Sequence, residues 1–369
     1  MVTEYKEYTL GSICSRLSSG KGIPASQVSD SGMYPVYGGN GLRGYTDHSN
    51  FVGECAIIGR QGAFCGNVRY FSGEAYMTEH AVVTCAKECH NTRYLAYLLS
   101  TMNLGRLSGQ SAQPGLSVKT LSMQPIRLPS KETQDKVVSV LATIDDKLAV
   151  NEKVNKNLEQ QAAILFSKWL SSCTESITIG DMSKNVLDYS PATNEMIRLL
   201  NSSDVTEGVF PVAPLVQNKD LKGHFKKRLQ YGDILYSEIR PRNHHYGIVL
   251  FDASEYIAST RLMVIRAIAD KVSPAMLYQY LLLPDVEAEF TLKTESRSGT
   301  FPQGNYADMS SILVPYARVE SQEDISDTLS QIRYMMALNQ CENQRLAELR
   351  DALLPKLMSG EIDASDLSI

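Results

Sequence analysis

Two stretches of the sequence decide the fold, and a constant offset of 188 residues relates them: VVSVLATIDDKLAVNEKVNKNLEQQAAILFSKW (137–169) and ISDTLSQIRYMMALNQCENQRLAELRDALLPKL (325–357). In both, apolar residues recur at alternating steps of four and three, which is the a/d pattern of a coiled coil over about four to five heptads. The first stripe is Val137, Leu141, Ile144, Leu148, Asn151, Asn155, Leu158, Ala162, Leu165 and Trp169. The second stripe is Ile325, Leu329, Ile332, Met336, Asn339, Asn343, Leu346, Arg350, Leu353 and Leu357. The pattern predicts one long helix that occurs twice in the chain.

The four asparagines in these stripes indicate how the helices pair. Asn151 and Asn155 straddle the midpoint of the first stripe, and Asn339 and Asn343 straddle that of the second. A buried asparagine is tolerated in an apolar seam when its amide bonds a partner, so that it fixes the register. Antiparallel pairing brings all four together, although parallel pairing also aligns equivalent asparagines, and a partly exposed seam edge would tolerate them too. The connecting segment of about 150 residues favours antiparallel helices, since two folded halves at opposite ends then have equivalent geometry.

The segments outside the helices repeat as well. In the first segment, apolar runs at 54–59 and 80–84 predict strands, 94–99 predicts a helix, 124–129 predicts a short strand, and Ser130 is a predicted helix N-cap. In the second segment, 232–237 matches 53–58, 261–265 matches the second strand, 277–282 matches the helix, and 310–315 precedes the second stripe as 124–129 precedes the first. The chain is therefore predicted to be a tandem duplication of a globular domain followed by a long helix.

Composition sets broad limits on the function. A chain of 369 residues suggests two to three domains, and its formal net charge of −5 does not by itself favour a nucleic-acid binder. The charge is unevenly spread: residues 1–129 sum to about +3 and residues 317–369 to about −5. Dense basic clusters lie in the third quarter: Lys219, Lys222, His224, Lys226, Lys227 and Arg228, then Arg240, Arg242, His244 and His245. Such clusters are candidate phosphate or base contacts, and solvated loops are the alternative.

Location and redox state also follow as expectations. No apolar run approaches the roughly 18 residues of a membrane span, and the first residues have no signal-peptide pattern, so we expect a cytoplasmic protein without membrane contact. The seven cysteines have no regular framework, which is typical of reduced thiols.

In this arrangement the chain resembles the DNA-specificity (S) subunit of Type I restriction-modification systems over essentially its full length. The motifs that carry the resemblance are Tyr8-Thr9-Leu10-Gly11-Ser12-Ile13, Ile58-Gly59-Arg60-Gln61-Gly62 with Gly66-Asn67-Val68, the residues Leu128, Pro129, Gln134, Leu141, Ile144, Asp145, Asn151, Leu158, Phe166 and Trp169, and Leu353-Leu354-Pro355-Lys356-Leu357-Met358-Ser359-Gly360-Glu361-Ile362. The segment 318–324 departs from the pattern, because it is less regular than 130–136 and leaves the start of the second helix undefined.

The resemblance implies an α+β fold: two tandem mixed α/β target-recognition domains separated by two long helices that pair as an antiparallel coiled coil, with pseudo-two-fold symmetry. The predicted segments are target-recognition domain 1 at 1–129, spacer helix 1 at 130–172, target-recognition domain 2 at 173–316, and spacer helix 2 with a C-terminal tail at 317–369. A stripe of about 33 residues at 1.5 Å per residue spans roughly 50 Å, against about 34–36 Å for one turn of DNA. The helices would then act as a ruler between two half-sites.

The resemblance further implies a protein without chemistry of its own. It would read a bipartite, gapped site on double-stranded DNA and hold two adenine-N6 methyltransferase subunits there, with restriction and translocase subunits as further partners. S-adenosylmethionine, ATP and Mg are then expected on those partner subunits and no cofactor on this chain.

Candidate DNA-reading residues are polar or basic side chains in or beside turn-rich segments, because Arg and Lys read guanine and Asn and Gln read adenine. They are Arg43, Tyr45, Arg60, Gln61, Gln113 and Lys119 in the first domain, and Lys219, Lys222, Arg240, Arg242, His244, Arg297 and Gln303 in the second.

No catalytic or metal-binding pattern stands out. Cys85, Cys89 and His90 lie close together without a second ligand pair, and His244 and His245, adjacent on a predicted strand, would point to opposite faces. We therefore expect no catalytic residue and no metal site. A self-contained nuclease or methyltransferase is disfavoured by the missing motifs. A coiled-coil adaptor that binds other proteins without reading DNA remains the alternative, and salt-dependent DNA binding would separate the two.

Overall fold

The computed structural model describes residues 4–108, 115–221, 223–295, 303–318 and 321–364. The chain divides into two compact units, Met1–Leu148 with Leu346–Ile369 (unit 1) and Ala149–Arg345 (unit 2). Both divisions fall inside long helices, so each long helix contributes one segment to each unit. The domain limits predicted from the sequence follow the segments of the chain and remain predictions.

Unit 1 is built on a six-stranded sheet with the order β2-β7-β5-β6-β3-β4. Its elements are β1 (Lys6–Thr9), α1 (Leu10–Ile13), β2 (Cys14–Ser19), β3 (Tyr34–Gly38), β4 (Gly41–Thr46), β5 (Phe51–Gly59), β6 (Val68–Met77), β7 (Ala81–Ala86), α2 (Thr92–Thr101), α3 (Val118–Ser122), β8 (Pro125–Leu128) and the first long helix α4 (Lys131–Leu170). β1 pairs antiparallel with β8, apart from the large sheet. Helix α2 begins at the cap Asn91, whose side chain accepts from the Tyr94 N–H at 3.0 Å, and its apolar face packs on the sheet.

Unit 2 repeats the plan with two four-stranded sheets, ordered β10-β17-β14-β15 and β12-β11-β16-β13. Its elements are β9 (Glu175–Thr178), α5 (Ile179–Met182), β10 (Ser183–Asn185), β11 (Met196–Leu200), β12 (Leu215–Gln217), β13 (Phe225–Arg228), β14 (Ile234–Ser237), β15 (Tyr246–Ile248), β16 (Tyr256–Ser259), β17 (Leu262–Ala267), α6 (Pro274–Leu281), α7 (Pro284–Glu295), α8 (Tyr306–Ser310), β18 (Leu313–Tyr316) and the second long helix α9 (Glu323–Ser359). β9 pairs antiparallel with β18, as β1 pairs with β8.

The duplication extends to single buried side chains. Gln134 lies in the first turn of α4 and Gln322 directly precedes α9, and their side chains are 0% and 2% exposed. The Gln134 side chain donates to the Pro129 carbonyl at 3.0 Å, and the Gln322 side chain donates to the Ala317 carbonyl at 2.6 Å. Each long helix therefore starts from the same buried bond, which ties it to the strand before it. The predicted N-cap is confirmed, since the Ser130 hydroxyl accepts from the Thr133 N–H at 3.2 Å.

The structure corrects the alignment of the two domains by one residue. Gly59 pairs with Ala81, the first residue of β7, and Ser237 pairs with Leu262, the first residue of β17. Ser237 is thus equivalent to Gly59, not to Ile58 as the sequence match had it. The error has a physical reason: both strands are buried on two faces, so they form continuous apolar runs in which no alternation marks the register.

The long helices pair antiparallel, as the fold class predicted. In unit 2 the Asn151 side chain donates to Asn343 Oδ1 at 2.8 Å, and the Asn339 side chain donates to Asn155 Oδ1 at 2.8 Å. In unit 1, Arg350 Nη1 lies 3.4 Å from Asp145 Oδ1. Residue numbers rise along α4 while those of the partners on α9 fall, which defines the direction. Within the seam of unit 2, Leu158, Ala162, Phe166 and Trp169 share one apolar cluster with Ile325, Leu329, Ile332 and Met336.

Candidate nucleic-acid interface

The same backbone arrangement occurs where β5 and β14 end. In unit 1 the Arg60 N–H donates to the His80 carbonyl at 3.0 Å, and the Arg60 carbonyl accepts from the Leu116 N–H at 2.8 Å. In unit 2 the Glu238 N–H donates to the Arg261 carbonyl at 2.9 Å, and the Glu238 carbonyl accepts from the Gly304 N–H at 2.8 Å. A bridge follows in each case, Gln61 with Gly115 and Ile239 with Gln303. One scaffold position thus carries a guanidinium in unit 1 and a carboxylate in unit 2.

Three arginines surround the turn between β3 and β4 in unit 1. A Cβ added to Gly38 would lie 2.7 Å from Arg43 Cδ, and one added to Gly41 would lie 3.1 Å from the Arg69 guanidinium carbon. A Cβ added to Gly39 would lie 3.5 Å from the Arg60 backbone nitrogen, and the Arg60 guanidinium Nη1 lies 3.4 Å from Ser19 Oγ. Within the residues that the structure describes, none of these arginines forms an ion pair with a carboxylate, so their charges are available to phosphate or to guanine.

The remaining unit 1 candidates are less closely grouped. Tyr45 lies on the sheet-edge strand β4, where it exchanges backbone bonds with Ser29 at 2.8 and 2.9 Å. Lys119 is exposed on α3, and Gln61 is exposed beside Arg60. Gln113 lies outside the described residues.

The basic loop of unit 2, residues 239–245, connects β14 to β15. Arg240 and Arg242 are both exposed in this loop, and Arg242 pairs with Glu295 at 3.0 Å. His244 contacts two carboxylates, Nδ1 with Glu207 at 3.0 Å and Nε2 with Glu287 at 2.9 Å. These ion pairs raise the pKa of His244 above its usual value, with the Glu207 hydrogen bond as the main cause. His244 is in the left-handed region at φ +54°, so the predicted strand placement of His244 and His245 was wrong.

Glu238 lies between two further polar side chains. Its Oε2 accepts from Gln303 Nε2 at 3.1 Å, and its Oε1 lies 4.0 Å from Lys227 Nζ. Lys227 is only 3% exposed and donates to the carbonyls of Thr260 and Leu262 at 3.1 and 2.6 Å. Burial lowers the pKa of Lys227. Lys227 therefore holds strands together from inside, unlike the exposed cluster that the sequence suggested.

The other unit 2 candidates contribute little to this picture. Lys219 is exposed on a short 3-10 turn at Asn218–Asp220. Lys222 and Arg297 lie outside the described residues.

Sequence reasoning missed two residues of this interface. Glu238 carries the wrong charge for a search based on basic side chains, and only its backbone equivalence to Arg60 identifies it. Arg69 lies at the candidate turn cluster as the second residue of β6, and the Gly66-Asn67 pair just before it is the turn signal that could have identified it. Its 3.4 Å bond to the Asn40 carbonyl is a long-range contact that a linear pattern does not contain.

Comparison with known proteins identifies the family. A family model described as Type I restriction modification DNA specificity domain matches the chain twice, over residues 3–160 and 179–349. The chain belongs to this family. The resemblance recognised from the sequence motifs is thereby confirmed, and DNA specificity rather than a protein-only adaptor is the function class of its relatives.

Individual members of the specificity family align with parts of the chain. Over 146 residues it is 40% identical to the EcoprrI specificity subunit of Escherichia coli, covering 38% of this chain and 36% of that protein. Over 179 residues it is 36% identical to the HindI specificity subunit of Haemophilus influenzae, covering 48% of this chain and 39% of that protein. These matches span little more than a third of each relative. The S subunit from M. genitalium shares the fold over 96% of both chains, with a TM-score of 0.66 and 16% identity.

No helix within the described ranges is both long and apolar enough to cross a membrane.

Proposed function

We propose that this specificity-family chain reads the two halves of a bipartite, gapped DNA site. Unit 1 reads one half with the arginines around its β3–β4 turn. Unit 2 reads the other half with Glu238, Gln303 and the basic loop 239–245. The chain carries out no chemistry itself in this proposal.

The observation that carries the proposal is the pair of equivalent strand ends at Arg60 and Glu238. Arginine donates to guanine O6 and N7, whereas a carboxylate accepts from the amino group of cytosine. A duplicated scaffold that holds opposite chemistry at one position is suited to an asymmetric site, because each copy then selects a different base.

The proposed partners are two adenine-N6 methyltransferase subunits, with restriction and translocase subunits in the full complex. S-adenosylmethionine, ATP and Mg would be bound by those partners. Cytoplasmic location belongs to the same proposal, since the DNA and the partners are there.

Methylome sequencing of the host tests the proposal directly. The strain with the gene, the deletion strain and strains carrying Arg60→Ala or Glu238→Gln are compared at single-molecule resolution. We expect the deletion to remove N6-methyladenine from one gapped motif, Arg60→Ala to change one half of that motif, and Glu238→Gln to change the other half. Arg127→Ala, an exposed arginine of unit 1 on β8, which pairs with β1 apart from the large sheet, is the control and should change neither half.

An unchanged methylome after deletion, in cells that express this chain and its methyltransferase, would refute the proposal. Equal loss of both halves with Arg60→Ala would instead show a general role in folding or phosphate binding.

A further inference from the structure

The basic loop of unit 2 has an unusual backbone. Arg240 and His244, which bracket the turn, have φ of +49° and +54°, and Glu207, opposite them, has φ of +47°. Residues other than glycine rarely adopt this region, because it is strained, and they persist there only where the surrounding structure holds them in place. Something must therefore hold this loop in its conformation.

His244 supplies the contacts that hold the loop. Its two ring nitrogens both face carboxylate oxygens, Glu207 at 3.0 Å and Glu287 at 2.9 Å. A neutral imidazole has one donor and one acceptor, so only the doubly protonated ring satisfies both carboxylates at once. The Glu207 N–H also donates to the His244 carbonyl at 2.9 Å, so the two residues are joined through their backbones as well as through their side chains.

Each carboxylate is itself anchored. Glu287 lies in the first turn of α7. Beside Glu207, the carbonyls of Gly208 and Phe210 accept from the side chains of Gln340 and Gln344 on α9, at 3.3 and 2.7 Å. His244 thus connects the recognition loop to α7 and, through the 207–210 segment, to the long helix.

The other charged or titratable groups near His244 are also defined. The Tyr246 ring lies 6.0 Å from the His244 ring, and Arg242 on the same loop is paired with Glu295. His245 bonds the Val205 carbonyl through Nδ1 at 3.0 Å. Beyond Tyr246 lies the Glu159–Arg333 ion pair, which contributes one charge of each sign. The two carboxylates are the charges in direct contact with the imidazole.

Resting on the proposed function, we propose that His244 is a positioning residue and not a base-reading one: as an imidazolium bridging Glu207 and Glu287 it holds Arg240 and Arg242 in the conformation that reads the second half-site. Because both ring nitrogens are occupied, His244 has no donor left for a base. Reading of the second half-site then depends on its protonation, and reading of the first does not.

The direction of the pH effect follows from the raised pKa of His244. The bridge is fully present below the ordinary histidine value of about 6.5 and is lost as pH rises through the raised value. Preference for the second half-site should therefore fall on the alkaline side. A loss of one charged hydrogen bond corresponds to about tenfold in binding.

The experiment uses the full chain and a library of random-sequence DNA duplexes. Bound duplexes are sequenced after selection at about pH 6 and about pH 8.5, below and above the ordinary pKa of histidine. His244→Gln removes the charge, Glu287→Gln removes one partner, and His48→Gln is the matched control, since His48 pairs with Asp47 at 2.7 Å in unit 1. Thermal melting followed by the fluorescence of Trp169 shows that the two unit 2 variants remain folded, and melting followed by circular dichroism shows the same for His48→Gln in unit 1.

Wild-type protein should enrich a gapped motif whose second half weakens about tenfold from the acid to the alkaline selection. His244→Gln and Glu287→Gln should show the weakened second half at both pH values, with the first half unchanged. Folded variants that keep the second half and its pH dependence would overturn the inference. A wild-type protein that enriches no motif at either pH would instead refute the proposed function, and with it this inference.

Discussion

Replacing Arg333 should destabilise unit 2 far more than an ordinary helix-surface change. Arg333 lies on α9 and is 4% exposed. Its guanidinium forms a bidentate ion pair with Glu159 on α4. It also donates to Gln279 Oε1 at 2.7 Å and lies over the Tyr278 ring, 4.7 Å from the ring centre. One side chain therefore joins both long helices to the globular part of unit 2.

The magnitude follows from the groups left behind. Removing one partner of a fully buried ion pair costs about 3–5 kcal/mol. Glu159 is 39% exposed and can regain water, which lowers that cost, while Gln279 is 4% exposed and would keep an unpaired buried oxygen. Methionine replaces much of the packing volume. We therefore expect Arg333→Met to reduce the free energy of unfolding by about 2–3 kcal/mol, or to lower Tm by about 5–10 °C.

The assay is urea unfolding followed by Trp169 fluorescence. Trp169 is the only tryptophan in the sequence, and its indole N–H donates to the Ser321 carbonyl at 3.3 Å within unit 2. Arg345→Met is the matched control: it lies on the same helix and in the same unit, but its side chain is exposed, so it should change stability by less than about 0.5 kcal/mol. A double-mutant cycle with Glu159→Gln should give a coupling of about 1–2 kcal/mol.

Ordinary surface substitutions change the free energy of unfolding by up to about 0.5 kcal/mol. If Arg333→Met changes the free energy reported by Trp169 by no more than this, the reasoning is refuted. A cycle with coupling near zero would show that Arg333 stabilises unit 2 through packing and not through Glu159.

Asn155→Leu alone should destabilise unit 2 by about 1–3 kcal/mol, because the Asn339 amide loses its acceptor, whereas Asn155→Leu with Asn339→Leu should recover that loss in the same urea assay. Asp233→Ala should reduce the free energy of unfolding by about 3–5 kcal/mol, measured by calorimetry, because Asp233 is 0% exposed and pairs with Arg266 at 2.6 Å. The control is Asp252→Ala, which removes a fully exposed carboxylate on a loop. Inserting one heptad into both long helices at facing positions should lengthen the gap of the methylated motif by about one to three base pairs, since seven residues add roughly 10 Å; an unchanged gap would contradict the ruler.

Sequence periodicity predicted the long helices and their pairing well, because a helix that is buried along one side has apolar residues at regular spacing. The antiparallel direction came from the connection between the helices, and the asparagine contacts match it. The strand alignment was wrong by one residue for the opposite reason: the strands β5 and β14 are buried on both faces, so no alternation of polar and apolar residues shows their register.

The candidate interface was predictable only where charge and turn residues coincide in sequence. Arg43, Arg60 and Gln61 met that condition, and the structure brings Arg43 and Arg60 to the same turn. Glu238 did not, because its role rests on backbone bonds to Arg261 and Gly304 that lie far away in the chain. His244 was predicted to contact DNA, and only its two carboxylate neighbours reveal a different use for the side chain.

Unit 1 is built from the two ends of the chain, and this affects the order in which its core is made on the ribosome. Its apolar core includes Leu357 and Met358 together with Leu10 and Val137, and they are buried side by side. Roughly 200 residues separate the end of the first part of unit 1 from these leucine and methionine side chains, which corresponds to about 10–40 s of translation. The whole of unit 2 is synthesised within that interval, so the chain of unit 2 is complete before unit 1 receives the last residues of its core.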